Sequence, residues 1–305
     1  MRNAIGYIVT VVAALCWGAS GVSADYLMKS HGVELTLVSF FRTFTAGILI
    51  LGCVLARSRR ITTQHRELVT TRRNWLPLVS YAIFGLAACQ LSYMSVIRAS
   101  NAGTGTVLQY LGLIHIVVWV CLSHRRWPRA SELIAMILAL IGTFLLSTHG
   151  TPGTLALTPV TLAWGGVAAL TLATYTLLPA RLIAAYGAEL VVGYGLAIAG
   201  AGVGLVGRVW RYSITWTPDV ILAMTITVVL GTAVAFTAYL WGVDRIGPVR
   251  ASLVGCAEPI AATVFSALIM GSSYTGADIV GMTLIVSAVV TISVVDLIRA
   301  RRVTQ

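Results

Sequence analysis

Glu258, Arg42 and His115 are ionisable side chains set inside long apolar stretches of a 305-residue chain. A charge surrounded by hydrocarbon is costly unless it is paired or solvated, so each is a candidate functional group. Glu258 lies near the centre of the stretch 249–271 and is followed directly by Pro259. Proline has no N–H and leaves the carbonyl four residues earlier without its helical partner; here that carbonyl belongs to Gly255. A bent helix, an unpaired carbonyl and a carboxyl would then meet at one depth. Such a carboxyl either binds a proton or a substrate, or caps helix ends and serves structure. Arg42 falls about 10 Å into the stretch 35–56. Its planar, permanently charged guanidinium can clamp a carboxylate, or it can pair with Asp25 while its stem reaches outward. His115, central in 103–123, can titrate near neutrality or pack as a hydrogen-bonded side chain.

Polar and aromatic residues at similar depth are candidates to line a cavity: Trp17, Ser20, Gln90, Tyr93, Gln109, Tyr110, Tyr175 and Tyr239. Helical spacing puts Trp17 and Ser20 on one face, and Gln90 and Tyr93 on another. Aromatic walls carrying a few polar groups suit a small amphipathic molecule. Other chemistries lack their residues. The chain has no HExxH, no GxSxG and no G-x-x-x-x-G-K-[ST] loop, which argues against a hydrolase and against direct use of ATP. Five cysteines form no CxxC pair, and His31, His65, His124 and His149 have no metal-ligand spacing. No metal, cofactor or enzymatic activity is expected.

The elements that position these groups follow from composition. Hydrophobic residues make up 58% of the chain and charged ones 10%, against roughly 25% charged in soluble domains. The apolar residues fall in runs near the roughly 20 residues that a bilayer core requires. Ten helical spans are expected, at 5–27, 35–56, 75–97, 103–123, 131–149, 159–181, 189–208, 219–242, 249–271 and 277–298. Helices rather than barrel strands follow because the runs are continuous, and a helix satisfies its own backbone in lipid. Trp75, Trp127, Trp164, Trp210 and Trp216 fall near span ends, where aromatic belts anchor.

The net charge of +11 sits in the short gaps between spans and forms no aromatic-studded basic face, which excludes nucleic acid as a partner. With the N-terminus inside, sixteen of the 21 basic residues lie on the cytoplasmic side, which places both termini there. The sequence also repeats. A shift of 155 superposes Val12-Ala13-Ala14-Leu15 on Val167-Ala168-Ala169-Leu170, and a shift of 146 superposes Gly85 on Gly231, Tyr93 on Tyr239 and Glu132 on Asp278. Five spans per copy is an odd number, so copies at 1–150 and 151–305 must cross in opposite directions. That is the inverted-repeat plan of secondary transporters, with the binding site near the midplane.

Gly231-Thr232-Ala233, Tyr239-Leu240-Trp241, Arg245-Ile246-Gly247-Pro248 and Ala257-Glu258-Pro259-Ile260 resemble the drug/metabolite transporter superfamily, in particular its ten-helix EamA-type members. Trp17-Gly18, Arg42 and Gly281 fit the same pattern. The resemblance covers essentially the whole chain. It implies an all-α membrane protein of ten helices, both termini cytoplasmic, in a bacterial cytoplasmic (inner) membrane. It implies a secondary-active transporter that exports an amino acid or related amphipathic metabolite by alternating access. Multidrug export, nucleotide-sugar-type exchange and lipid flipping are the alternatives. The partners expected are a small-molecule substrate, the lipid bilayer and a coupling proton, with the protein a monomer or a homodimer. The family's fourth span often carries a proline where Leu113, the repeat partner of Pro259, stands here; the two halves are therefore not expected to kink alike. A central cavity is expected between the first four spans of each half, with the fifth and tenth bracing their own halves.

Overall fold

The computed structural model describes residues 2–57, 59–100, 102–155, 157–270 and 274–303. Among the described residues, ten helices are long and apolar enough to cross a bilayer: α1 (Ala4–Ser30), α2 (Leu35–Ala56), α3 (Arg72–Ala99), α4 (Thr104–Ser123) and α5 (Ala130–Thr148) come first, followed by α6 (Pro159–Tyr186), α7 (Ala188–Gly207), α8 (Pro218–Ile246), α9 (Pro248–Leu268) and α10 (Gly276–Val295). Every span expected from the sequence is present, with ends shifted by a few residues. The surface is apolar: Leu76, Leu122, Val206 and Leu268 are each between 71% and 81% exposed. Such side chains face outward at no penalty when the solvent is lipid. Trp75, Trp127, Trp164, Trp210 and Trp216 are all exposed as well.

The first helix of each half packs into the other half. α1 lies along α8 and α9, while α6 lies along α3 and α4, and α2 crosses α7. α5 and α10 pack mainly on each other. They do not brace separate halves as expected; they form one shared pair. Glycine permits that approach, since a Cβ on Gly142 would lie 2.7 Å from the Gly281 carbonyl oxygen. Each helix of the pair is capped by its own acid. Glu132 accepts two bonds from Arg126, at 2.8 Å each, and one from the Arg129 amide. Asp278 accepts from the Thr275 amide and hydroxyl, at 2.8 and 2.9 Å, and is bonded to His149.

Helix irregularities cluster at mid-depth. π-helical turns occupy Phe41–Thr45 in α2, Tyr81–Ala87 in α3 and Ile226–Val234 in α8. An extra residue in a turn rotates the side chains that follow, and such bulges gather at functional sites. α9 breaks after Gly255 and restarts at Glu258. α4 breaks as well, at Leu111, although no proline is there. In α4 the Leu111 amide bonds back three residues to Leu108; in α9 the Cys256 and Ala257 amides do the same to Leu253 and Val254. The two halves thus kink at equivalent points, contrary to the expectation drawn from Leu113. Gly112, directly after the α4 break, sits against α6 so closely that a Cβ there would be 2.5 Å from the Ala169 carbonyl oxygen. Close helix contact, rather than proline, accompanies the break in the first half.

Candidate functional site

The breaks in α4 and α9 and the π-turns of α2, α3 and α8 enclose a chamber of about 90 Å³. It continues into a vestibule of about 590 Å³. Trp17, Gly21, Arg42, Tyr93 and Glu258 border both. The vestibule runs past Asp25 and Met28 of α1, Ile97 of α3 and Ser266 of α9 to His149 and Tyr274. It therefore opens at the end of the bundle opposite the N-terminus. At the other end α4, α5, α9 and α10 close around a dry cluster that includes Leu113, Ile116, Val117, Val120, Cys121, Val249 and Leu253.

Aromatic rings form one wall. Trp17 packs on Phe236 at 5.3 Å and on Tyr239 at 5.1 Å, and Tyr175 packs on the same two rings at 5.7 and 5.8 Å. The Tyr239 hydroxyl lies 3.2 Å from the Thr176 hydroxyl, so this quartet from α1, α6 and α8 is tied down. The opposite wall is polar. Gln109 donates to the Cys89 sulfur at 3.2 Å, and the Tyr93 hydroxyl lies 3.3 Å from that of Thr106. The Gln90 amide nitrogen is buried without a hydrogen-bond partner among the described residues. A buried donor in this condition is a group awaiting an acceptor.

The charged groups are Arg42 and Glu258. Arg42 stands on the α2 π-turn and its Nε donates to Thr232 Oγ1 at 3.3 Å, on the α8 π-turn. Thr232 in turn donates to the Thr227 carbonyl, five residues back, as a π-turn permits. Arg42 is 9% exposed and forms no ion pair among the described residues. Asp25 does not pair with it; Asp25 is bridged to Lys29 at 2.9 Å. Glu258 opens the second half of α9, and its Oε2 accepts from the Tyr110 hydroxyl at 2.9 Å. The same hydroxyl lies 3.0 Å from the carbonyl oxygen of Gly255. This is the carbonyl that Pro259 leaves without an amide partner.

Nine residues singled out by type and depth share this chamber: Trp17, Arg42, Gln90, Tyr93, Gln109, Tyr110, Tyr175, Tyr239 and Glu258, with Pro259 bordering the vestibule. Two others lie elsewhere. Ser20 is 1% exposed and fills the space over Gly231, where a Cβ could not fit, so it belongs to α1–α8 packing. His115 is exposed on the outer face of α4, beside Val118 and Trp119, and does not line the chamber. Both placements have one cause: depth along a span says nothing about which side of the helix meets the cavity. Phe236, Cys89, Leu172 and Ser252 line the chamber without having been picked out. Phe236 was within reach of a face argument, since it precedes Tyr239 by three residues on one helix.

The model of the EamA-like transporter family matches this chain twice, over residues 4–148 and 160–294. The chain belongs to the EamA-like transporter family. It is accordingly a multi-pass membrane protein and a membrane transporter with the family's ten-helix fold. The Salmonella typhimurium protein YicL, described as an uncharacterized inner membrane transporter, is 35% identical over 296 residues, 97% of either chain. The Bacillus subtilis protein YwfM, described as an uncharacterized transporter, is 22% identical over 96% of this chain and 95% of its own. One solved crystal structure matches with a TM-score of 0.79 at 19% identity, covering 98% of this chain and 99% of the other. At that identity the likeness concerns the fold alone. Within the family the match extends over both chamber walls, because the two matched segments carry every residue that lines the chamber.

Proposed function

We propose that this family member is a secondary-active transporter of the drug/metabolite type, exporting an amphipathic metabolite that carries both an ammonium and a carboxylate, such as an amino acid. The observation that carries the proposal is the disposition of Arg42 and Glu258. They face one chamber from different halves of the chain, are not paired with each other, and are flanked by four aromatic rings. A carboxylate would sit on the Arg42 guanidinium and the Gln90 amide, an ammonium near Glu258, and an apolar side chain against the quartet. Alternating access is supported by the vestibule at one end and the dry cluster at the other. The exchanged packing of α1 and α6 supports two copies at 1–150 and 151–305 related by inversion. With the N-terminus cytoplasmic, as the basic residues indicate, the vestibule faces outward and the structure is an outward-open state. An inner-membrane location accords with the description of YicL. Transport rather than catalysis is the function assigned.

Counterflow of labelled amino acids and amines into proteoliposomes tests this. Flux above that of empty vesicles for at least one zwitterion is expected. Flux equal to empty vesicles across a broad panel would overturn it, and scrambling of labelled phospholipid in its place would favour a lipid-moving function.

A further inference from the structure

We propose that the single hydroxyl hydrogen of Tyr110 passes between the Gly255 carbonyl and the Glu258 carboxylate, so that the space beside them holds in turn a proton or the ammonium group of a substrate. The proposal rests on the transport function above and names how its site would be coupled. Tyr110 faces two acceptors, at 3.0 and 2.9 Å, and owns one hydrogen. With Glu258 neutral, the acid donates to the Tyr110 oxygen and Tyr110 donates to Gly255. Every group is then satisfied, and α4 is fastened to the break in α9. With Glu258 ionised, the stronger, charge-assisted bond draws the hydrogen to the carboxylate. The Gly255 carbonyl then has no donor, because Pro259 has no N–H to offer, and a buried carbonyl requires one.

That carbonyl ends the half-helix Pro248–Gly255, where the helix dipole is negative. Together with the carboxylate it presents two acceptors to the chamber, suited to the three donors of an ammonium. The Tyr239 ring is adjacent, 3.6 Å from the position a Cβ on Gly255 would take, and supplies a cation-binding face. As the ammonium enters, the proton leaves Glu258 for the vestibule, so the charge of the pocket is conserved. Titratable groups face Glu258 from several helices. Arg42 approaches from α2, Cys89 and Tyr93 from α3, Tyr110 from α4 and Tyr175 from α6. Cys256 adjoins it on α9 and Tyr239 stands on α8, while Asp25 of α1 lies higher in the vestibule, bridged to Lys29. Arg42 is the single fixed cation among these, which favours a zwitterion over a bare amine.

The test uses the purified full-length protein with 2-phenylethylamine as probe and its uncharged N-acetyl derivative as control. In weakly buffered solution containing a pH dye, the amine should release a proton on binding and the control should not. Affinity for the amine should rise about tenfold per pH unit through the titration of the site. Glu258→Gln should bind the amine more weakly, and with neither proton release nor pH dependence. Infrared difference spectra on titration should pair the carboxyl band with a shift in a backbone carbonyl band. In Tyr110→Phe the carboxyl band should remain and the carbonyl shift should vanish. A carbonyl shift that survives in Tyr110→Phe or, in the unaltered protein, amine binding without proton release or no amine binding, would each overturn the proposal. Zwitterion counterflow alongside any of those results would leave the transport function standing; its absence would remove both.

Discussion

Replacing Arg42 with alanine separates a clamp from a scaffold. The guanidinium is held from behind by Thr232 and has no carboxylate within ion-pair distance among the described residues, so its remaining donors are available to the chamber. A hydrogen bond between charged groups contributes about 1.5–3 kcal/mol. At about 1.4 kcal/mol per tenfold, loss of the guanidinium should weaken binding of a carboxylate ligand roughly tenfold to a hundredfold. The comparison is between phenylalanine and 2-phenylethylamine, which differ only by that carboxylate. Phenylalanine should lose the full amount in Arg42→Ala, while the amine should hold its affinity or gain, since a cation near Glu258 has gone. The fold should tolerate the change, because Thr232 keeps its bond to the Thr227 carbonyl at 3.0 Å. Thr232→Val offers a graded version: it removes the acceptor that aims Arg42, and about 1 kcal/mol should translate into a loss of about fivefold for phenylalanine. Equilibrium binding of both labelled ligands to purified protein is the assay. Equal losses for amino acid and amine would refute a carboxylate clamp and leave Arg42 as a tie between α2 and α8.

Other predictions follow from the packing. Phe236→Leu removes one ring from the quartet, and at about 0.5–1.5 kcal/mol for an aromatic pair it should lower the preference for phenylalanine over valine a few-fold in competition binding; an unchanged ratio would place the apolar part of the ligand elsewhere. Glu132→Ala and Asp278→Ala each remove a helix cap, worth roughly 1–2 kcal/mol, and should lower the thermal midpoint in detergent without altering ligand selectivity. Gly142→Val would force a branched side chain against the Gly281 carbonyl, costing about 1–3 kcal/mol, and should reduce the yield of monodisperse protein. Normal yield would mean that α5 and α10 slide apart at little cost.

Much of the fold was legible because the bilayer imposes a length on every apolar run, so spans could be counted and placed. The chamber was legible for a related reason: polar groups at mid-depth are expensive there, so Arg42, Gln90, Tyr110 and Glu258 stood out by type alone. Rotation around each helix was not legible. Ser20 and Tyr239 lie at similar depth, yet one is sealed over Gly231 and the other walls the chamber. Hydrophobic periodicity cannot resolve this, since lipid-facing and core-facing positions are both apolar in a membrane helix. The π-turns were hidden as well, because their sequences, such as Ile226–Val234, read as ordinary apolar helix. The break in α4 escaped because its cause is the contact of Gly112 with α6, a tertiary fact. Gly247, by contrast, carries its reason in the chain: its φ of +84° is open to glycine, and Pro248 then starts α9.

The proposed inverted plan makes a prediction about the alternate state. The half of α9 that follows Glu258 lines the vestibule through Ala262, Thr263, Ser266 and Ala267. The shift of 146 that relates α4 to α9 carries these onto Ile116, Val117, Val120 and Cys121. All four of those residues are buried, at 0%, 4%, 9% and 8% exposure, in the cluster that closes the opposite end. Exchange of roles between the halves would open that cluster and make the α4 residues the lining of a vestibule at the opposite end. The two linings are not alike: one is small and partly polar, the other bulkier and mostly apolar. Wetting the α4 face therefore costs more, and the arrangement with the α9 face open should be the resting one. Cys121 is a native reporter of the exchange. Modification of its thiol by a membrane-permeant maleimide, read residue by residue by mass spectrometry, should be slow in the ligand-free protein. It should accelerate under turnover with substrate on both sides of the vesicle, while Cys256, buried at the α9 break, stays protected. A Cys121 rate that turnover leaves unchanged would mean that the α4 cluster never opens, and that the closed end is part of the scaffold rather than a gate.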